Sequence, residues 1–206
     1  MPSFQKPPTV SDDYRAVDIY RKAASIIYEK GFNATSMGDI AEAVDLTKGG
    51  LYYYIKGKKA LLFAIMNFAM DLLEGEVLAP AQEERDPQRR LAGIVGRHTR
   101  IVMQDPSALS ILVYEEENLS REHREKILVR KREYARILKD SIQAVLDLQP
   151  DGPKVDPVVA AYSFLGMIHW VVRWYKPTGR LSRDEVVEQM THLALNGLMT
   201  TLTPPS

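Results

Sequence analysis

The chain has 206 residues, 45% of them hydrophobic, which is enough to bury the core of one large domain or two small ones. Its 27 lysines and arginines balance 27 aspartates and glutamates, so the overall charge identifies neither a nucleic-acid nor a membrane partner. The absence of cysteine excludes disulfide bonds, thiolate zinc sites and cysteine nucleophiles. Because the first residues lack the apolar core of a signal peptide, we expect a cytoplasmic protein.

Glycine and proline divide the chain into helical segments, and no strand alternation of useful length is found. The sequence therefore predicts an all-α protein of about nine helices. The first helix is expected over about residues 11–30, ending at Gly31. The predicted regions are a flexible tail (1–10), a helix-turn-helix domain (11–57), a second helical domain (58–202) and another tail (203–206).

Two short helices around a tight turn are predicted between residues 35 and 55. Ser36 and Asp39 form a capping-box pattern at the start of the first helix, and Thr47 is the expected cap of the second. The inward-facing positions are Ile40, Ala41 and Val44 in the first helix and Leu51 and Ile55 in the second. This arrangement is a helix-turn-helix.

The second of these helices is expected to show solvent a cationic and aromatic face. No acidic residue occurs over residues 46–59, whereas four lysines do. Two adjacent glycines, Gly49 and Gly50, would let the backbone approach a partner closely. Such a surface suits the phosphate backbone of DNA.

At these residues the chain resembles the TetR family of bacterial transcription regulators. The family signature D-I-A-x-x-A-G-V-S-K-G-x-L-Y-x-Y/H-F-x-x-K is similar to residues 39–58, and the resemblance covers about residues 14–62. Asp45 stands where the family has glycine, and Gly50 replaces a small polar residue that often touches a base or phosphate. The resemblance implies a homodimeric DNA-binding repressor that a small hydrophobic ligand releases from its operator.

The same resemblance implies roles for individual residues. Tyr52, Tyr54 and Lys58 would bind phosphates, with the Thr47 hydroxyl and nearby backbone amides as further donors. Lys48 and Tyr53 are the candidates for contacts with base edges. The expected DNA-binding residues are thus Thr47, Lys48, Gly49, Gly50, Tyr52, Tyr53, Tyr54 and Lys58.

Six further helices are predicted beyond residue 57. The fourth begins at Lys58 and is expected to end before Pro80, and the fifth begins at Asp86-Pro87. Interspersed charges over residues 115–133 are interpreted as solvated helix faces with i, i+4 pairs. The expected ranges of the six helices are 58–79, 87–104, 107–117, 120–148, 157–175 and 182–200.

The eighth helix is apolar nearly all the way round, which indicates burial on more than one side. A membrane span is the alternative, but the run is short and contains His169 and Arg173. In the resembled family the eighth and ninth helices form an isologous dimer interface, which would cover the apolar surface. The candidate interface residues are Phe164, Gly166, Met190 and Leu195.

His98 and His169 fall on apolar helix faces. Each is interpreted first as a hydrogen-bonded core residue and second as a polar anchor in a ligand cavity among the fourth to eighth helices. The segment from Trp170 to Ser182 is similar to that of TetR-type regulators of fatty-acid and steroid breakdown, which implies an acyl-CoA-like effector. The candidate ligand-binding residues are His98, Ile101, Val102, Tyr114, Met167, His169, Trp170, Arg173 and Trp174.

The sequence shows no phosphate-binding glycine loop, no nucleophile motif and no histidine spacing typical of a metal site. We therefore expect neither an enzyme nor a cofactor or metal. An all-α dimer that serves as a ligand-binding or protein-interaction module without DNA remains as the alternative, and Gly50 favours it.

Overall fold

The computed structural model describes residues 10–152 and 154–199, with side chains from Arg15 onward. Over these ranges the chain forms nine helices and no strand, so the predicted all-α fold is confirmed. The helices are α1 (Val10–Lys30), α2 (Met37–Ala43), α3 (Lys48–Tyr54), α4 (Lys58–Leu73, Glu74–Leu78 and Ala79–Glu83 without a break), α5 (Pro87–Gln104), α6 (Pro106–Tyr114), α7 (Arg121–Leu146), α8 (Pro157–Trp174) and α9 (Arg183–Met199). The expected tail at residues 1–10 lies outside the described residues except for Val10, which begins α1, and the expected tail at 203–206 lies outside them entirely.

The predicted capping box starts α2. The backbone amide of Ser36 donates to the Asp39 carboxylate at 2.7 Å, and the amide of Asp39 donates to the Ser36 hydroxyl at 3.1 Å. In the turn before α3, Asp45 has a φ of 55°, a left-handed conformation that aspartate tolerates better than most residues. Asp45 is therefore compatible with the turn even though the resembled family has glycine there.

The fourth helix does not end at Pro80 as the sequence predicted. It continues to Glu83 through a π-helical segment, Glu74–Leu78, in which the amide of Ala79 donates to the carbonyl of Glu74 five residues earlier. Proline disrupts a regular helix because it lacks an N–H and its ring clashes with the preceding turn. The wider π turn just before Pro80 accommodates both effects, so the chain stays helical.

By their internal contacts, the residues form two compact units. One consists of the residues up to Ala69 together with Ser107–Arg124, and the other consists of Met70–Pro106 together with the residues from Glu125 onward. The domain boundary expected between residues 57 and 58 stays a prediction.

In the second unit, α5 packs against both α8 and α9. Gly96 of α5 faces α9, where an added Cβ atom would lie 3.3 Å from the Thr191 hydroxyl. This close approach explains the glycine in the middle of a helix. None of the described helices, including α8, is long and apolar enough to cross a bilayer.

Candidate nucleic-acid interface and ligand site

The structure places the expected DNA-binding residues of α3 together on one exposed surface. Tyr53 is 86% exposed and stands out from the helix, with its ring edge-on to that of Tyr54 at 5.3 Å between centroids. Leu51, on the opposite side of α3, is fully buried. The other outward residues of the helix and its cap are Thr47, Lys48, Gly49 and Tyr52, all of them exposed.

The backbone amide of Gly50 takes part in the cap of α3. The Thr47 hydroxyl oxygen accepts a hydrogen bond from the Gly50 amide at 3.0 Å, as the sequence predicted for an N-cap threonine. A Cβ atom on Gly50 would lie only 3.2 Å from that oxygen. This contact is tight, but Asp39 occupies the equivalent position of the α2 cap with a Cβ atom, so the cap alone does not require glycine. The Thr47 hydroxyl still has its own hydrogen to donate.

Lys58 is not on α3 but at the first position of α4. Its ammonium donates to the carbonyl of Thr35 at 2.6 Å and to that of Asn33 at 3.3 Å, and it lies 4.4 Å from the centre of the Phe32 ring. Lys58 therefore holds the turn between α1 and α2, a role that the sequence did not predict. An ammonium group has three donors, so this role is compatible with a phosphate contact.

In the second unit, the buried His98 and Tyr134 form a polar cluster with the partly buried His169. The Tyr134 hydroxyl and the His98 Nδ1 atom are 3.0 Å apart, and the His98 and His169 rings meet edge to face at 5.0 Å. Burial lowers the pKa of His98 well below its usual value, and the neighbouring His169 adds to the effect. Burial, with a smaller contribution from Lys131, lowers the pKa of His169 to about 4. Both imidazoles are therefore neutral near pH 7.

The Nε2 atom of His98 is buried and has no hydrogen-bond partner among the described residues. A buried polar atom without a partner is rare in proteins, and it commonly marks a place where a water or ligand binds. Tyr134 was missed by the sequence analysis. Its spacing from Ile127 and Leu138 could have identified it, because this spacing places the three residues on one face of the otherwise charged α7. That face is buried.

The remaining ligand candidates are not all found together. Ile101 and Val102 are buried on α5 with His98, and Met167 is partly buried on α8. Trp170, Arg173 and Trp174 lie on the exposed side of α8, and Trp170 is 60% exposed. Tyr114 is exposed and belongs to the first unit. Because α8 is apolar nearly all round, its sequence could not distinguish the inner from the outer face.

The dimer-interface candidates also divide between the interior and the surface. Phe164 and Met190 are buried within the chain itself, whereas Gly166 is exposed and Leu195 is partly buried. The exposed large apolar residues of α8 and α9 are different ones, which the sequence did not indicate for the interface. They are Val158, Val159, Tyr162, Trp170 and Trp174 on α8 and Leu193 on α9.

An open groove of about 400 Å³ separates the last part of α4 from α7. Beside it, the Arg130 guanidinium of α7 forms two ion pairs with α4, to Asp71 at 2.6 Å and to Glu74 at 2.8 Å. These hydrogen-bonded carboxylates raise the pKa of Arg130 above its usual value. The two ion pairs fasten α7 to the junction between the α-helical and π-helical parts of α4.

Two family models match the chain. Residues 19–65 match the model described as "Bacterial regulatory proteins, tetR family", and residues 84–198 match "Tetracyclin repressor-like, C-terminal domain". The HTH-type transcriptional repressor KstR2 of Mycolicibacterium smegmatis is 26% identical over 193 residues, covering 89% of this chain and 90% of that protein.

Solved structures show the same similarity. AibR, whose structure was determined in complex with isovaleryl coenzyme A and operator DNA, is 37% identical, with 87% of this chain and 97% of AibR covered and a TM-score of 0.78. A transcriptional regulator of the TetR/AcrR family from Thermobifida fusca is 38% identical, with 89% and 98% covered and a TM-score of 0.66.

Proposed function

Because this chain belongs to the TetR family of bacterial transcription regulators, we propose that it is a homodimeric repressor that leaves its operator DNA when a small ligand binds. One observation supports the DNA-binding part most strongly. The exposed face of α3 contains Lys48 and three tyrosines and no acidic residue, on a helix whose start is capped. The alternative of a module without DNA rested on Gly50, whose missing side chain removes one possible contact but leaves Lys48 and the three tyrosines exposed on α3.

In this proposal α3 enters the major groove. The hydroxyls of Thr47, Tyr52 and Tyr54, the backbone amide of Gly49, and Lys58 bind phosphates, which fixes the position of the helix. Lys48 and Tyr53 contact base edges: Lys48 is exposed in the first turn of α3, and Tyr53 is the most exposed of its three tyrosines. The protein works in the cytoplasm, where its operator is.

The test is selection of binding sites from random-sequence DNA by the purified full-length protein. We expect a palindromic site whose half-sites lie about one helical turn, roughly 34 Å, or a multiple of it apart. Affinity for the selected site should fall with salt, by about 0.9 log units per log unit of salt for each phosphate bound. Lys48→Ala should weaken binding, whereas Lys139→Ala, at a lysine of α7 whose side chain is 42% exposed, is the matched control. Failure to enrich any site would defeat the proposal.

For the dimer, we propose that the exposed apolar surface of α8 packs against a second copy. Val159, Tyr162, Gly166 and Trp170 lie three or four residues apart, so they share one side of the helix. Gly166 has no atom within 4 Å of the position of an added Cβ, so a partner helix has room there. Leu193 adds an exposed apolar side chain on α9.

For the effector, we propose a small hydrophobic acyl-CoA thioester. The support is the resemblance to AibR and the buried His98 Nε2 atom without a partner, which lies on α5 near the apolar residues Ile101 and Val102. No catalysis is expected, since the relatives are regulators.

Calorimetry with a panel of acyl-CoAs that begins with isovaleryl-CoA tests the effector. A thioester that binds should raise the melting temperature by mass action and release the selected DNA. The corresponding free acids are the controls, and they should act more weakly because they lack the CoA phosphates. If no thioester binds at submillimolar concentration, the acyl-CoA proposal is wrong and the DNA-binding proposal is unaffected.

A further inference from the structure

The two nitrogens of His98 have different surroundings. Nδ1 is 3.0 Å from the Tyr134 hydroxyl, whereas Nε2 is buried and has no partner among the described residues. The His98 side chain is completely buried, and its neutral imidazole carries a single proton. Which nitrogen holds that proton decides whether the unpaired Nε2 atom is a donor or an acceptor.

The hydrogen-bonding of Tyr134 decides the tautomer. Tyr134 is buried, and burial raises the pKa of its phenol, so the hydroxyl keeps its proton. If this hydroxyl donates to Nδ1, only Nε2–H of His98 remains unsatisfied. If Nδ1–H donated instead, both the phenol hydrogen and the Nε2 lone pair would be buried without partners. Each unsatisfied buried group costs about 1–3 kcal/mol, so the first arrangement is preferred.

We propose that His98 Nε2–H is the hydrogen-bond donor that binds the carbonyl oxygen of the effector, and that Tyr134 is the positioning residue that keeps the proton on Nε2. This inference rests on the proposed effector function. For an acyl-CoA the acceptor is the thioester carbonyl.

The surroundings favour a neutral carbonyl over other ligand groups. An ammonium group has no acceptor to meet at Nε2–H, and a hydroxyl that accepts from Nε2–H leaves its own hydrogen without an acceptor there. A carboxylate would be buried beside two neutral imidazoles and a phenol, and burial of an unpaired charge is strongly unfavourable. His98 thus selects for the functional group that distinguishes a thioester from the free thiol and from a thioether.

The experiment compares two ligands that differ in this group alone. Whichever acyl-CoA binds in the calorimetric panel is compared with its S-alkyl analogue, in which a methylene replaces the carbonyl. We expect the thioether to bind about tenfold more weakly to the wild-type protein, as one lost hydrogen bond to a buried donor implies. Equal affinities would overturn the inference and leave the effector proposal standing. Absence of binding by every thioester would overturn both.

Variants and spectroscopy test the donor itself. His98→Leu should abolish the preference for thioester over thioether, and His98→Gln, which retains an N–H donor, should keep part of it. Tyr134→Phe should reduce the preference because Nδ1 no longer receives a hydrogen bond, whereas Tyr28→Phe, at an exposed tyrosine of α1, should not.

Nitrogen-15 NMR of the unliganded protein gives a measurement that does not depend on how the variants fold. The His98 resonances should show a protonated Nε2 and an unprotonated Nδ1, and the thioester should shift Nε2. A proton on Nδ1, or an Nε2 resonance unchanged by a bound thioester, would show that His98 does not bind the carbonyl.

Discussion

Lys58 connects two carbonyl groups of the turn before α2 through its ammonium. We predict that Lys58→Met, which keeps an apolar side chain over Phe32, lowers the free energy of unfolding by about 1–2 kcal/mol, because hydrogen bonds from a charged donor are lost. If the phosphate contact also exists, the log-log salt slope of DNA binding falls by about 1.8 per dimer. Chemical denaturation and a salt titration measure the two effects.

Lys59→Met is the control for stability, because Lys59 is exposed on the same turn of α4. A salt slope unchanged in a folded Lys58→Met protein would remove Lys58 from the DNA contacts and leave its structural role intact.

Asp39 gives the cap of α2 a pH dependence. Hydrogen bonds from the Ser36 side chain and backbone, and then Lys30, hold the pKa of Asp39 well below its usual value. A carboxylate whose pKa is lowered by folding stabilises the native state above its unfolded pKa of about 4, and this stabilisation is lost as the pH falls below that value. We predict that Asp39→Asn lowers the melting temperature at pH 7 and that its difference from wild type shrinks towards pH 2.5.

If the difference in melting temperature between Asp39→Asn and wild type stayed constant from pH 7 to pH 2.5, the Asp39 charge would not contribute to stability. Glu185, whose pKa is lowered by the hydrogen bonds from Ser182 at the start of α9, offers the same test in the second unit.

Local motifs of the sequence were enough to predict the face of α3, because caps and helical spacing act within a few residues. The Ser36 box, the Thr47 cap and the buried Leu51 follow from such spacing. The partners of Lys58 and of His98 could not be predicted in this way. They lie far away along the chain, at Thr35 and Tyr134, and only the packing of helices brings them together.

At the scale of helices, the ion pairs of Arg130 between α7 and α4 test how much such contacts contribute to the free energy of unfolding. We predict that a double-mutant cycle of Arg130→Met and Glu74→Gln gives a coupling energy of about 0.5–1 kcal/mol, since Arg130 is partly buried and Glu74 is half-exposed. Urea denaturation of the four proteins measures it.

Arg136→Met with Glu133→Gln is the control cycle, because that pair joins two residues of α7 and is exposed to solvent. We expect its coupling to be smaller. Equal coupling energies in the two cycles would indicate that the ion pair between α4 and α7 stabilises the protein no more than an exposed ion pair within one helix.

Helix ends were the least predictable feature. Pro80 was expected to terminate α4, because proline usually ends a helix. The rule did not anticipate the π turn at Glu74–Leu78, in which Val77 and Leu78 are buried. The helix starts at Asp86 and Asp156 were found correctly because aspartate followed by proline is a strong local signal.

At the scale of the whole molecule, exposure within one protomer decides which residues test the proposed dimer. Tyr162 is 64% exposed and Phe164 is 9% exposed. We predict that Tyr162→Glu gives folded monomers in analytical ultracentrifugation, because the charge disrupts only the contact between copies. Phe164→Glu should unfold the protomer, since it buries an unpaired charge. A Tyr162→Glu protein that sedimented as a dimer would move the interface away from this face of α8.

The compact unit that contains α3 is not a continuous piece of the chain. Besides the first 69 residues it includes Ser107–Arg124, and the rings of Phe63 and His123 stack within it at 4.0 Å. During synthesis the ribosome must therefore reach the start of α7 before all parts of this unit are available, and contacts between distant residues form slowly. A prematurely terminated chain that ended in α4 would lack these parts, so such fragments would be poor competitors for the operator of the intact repressor.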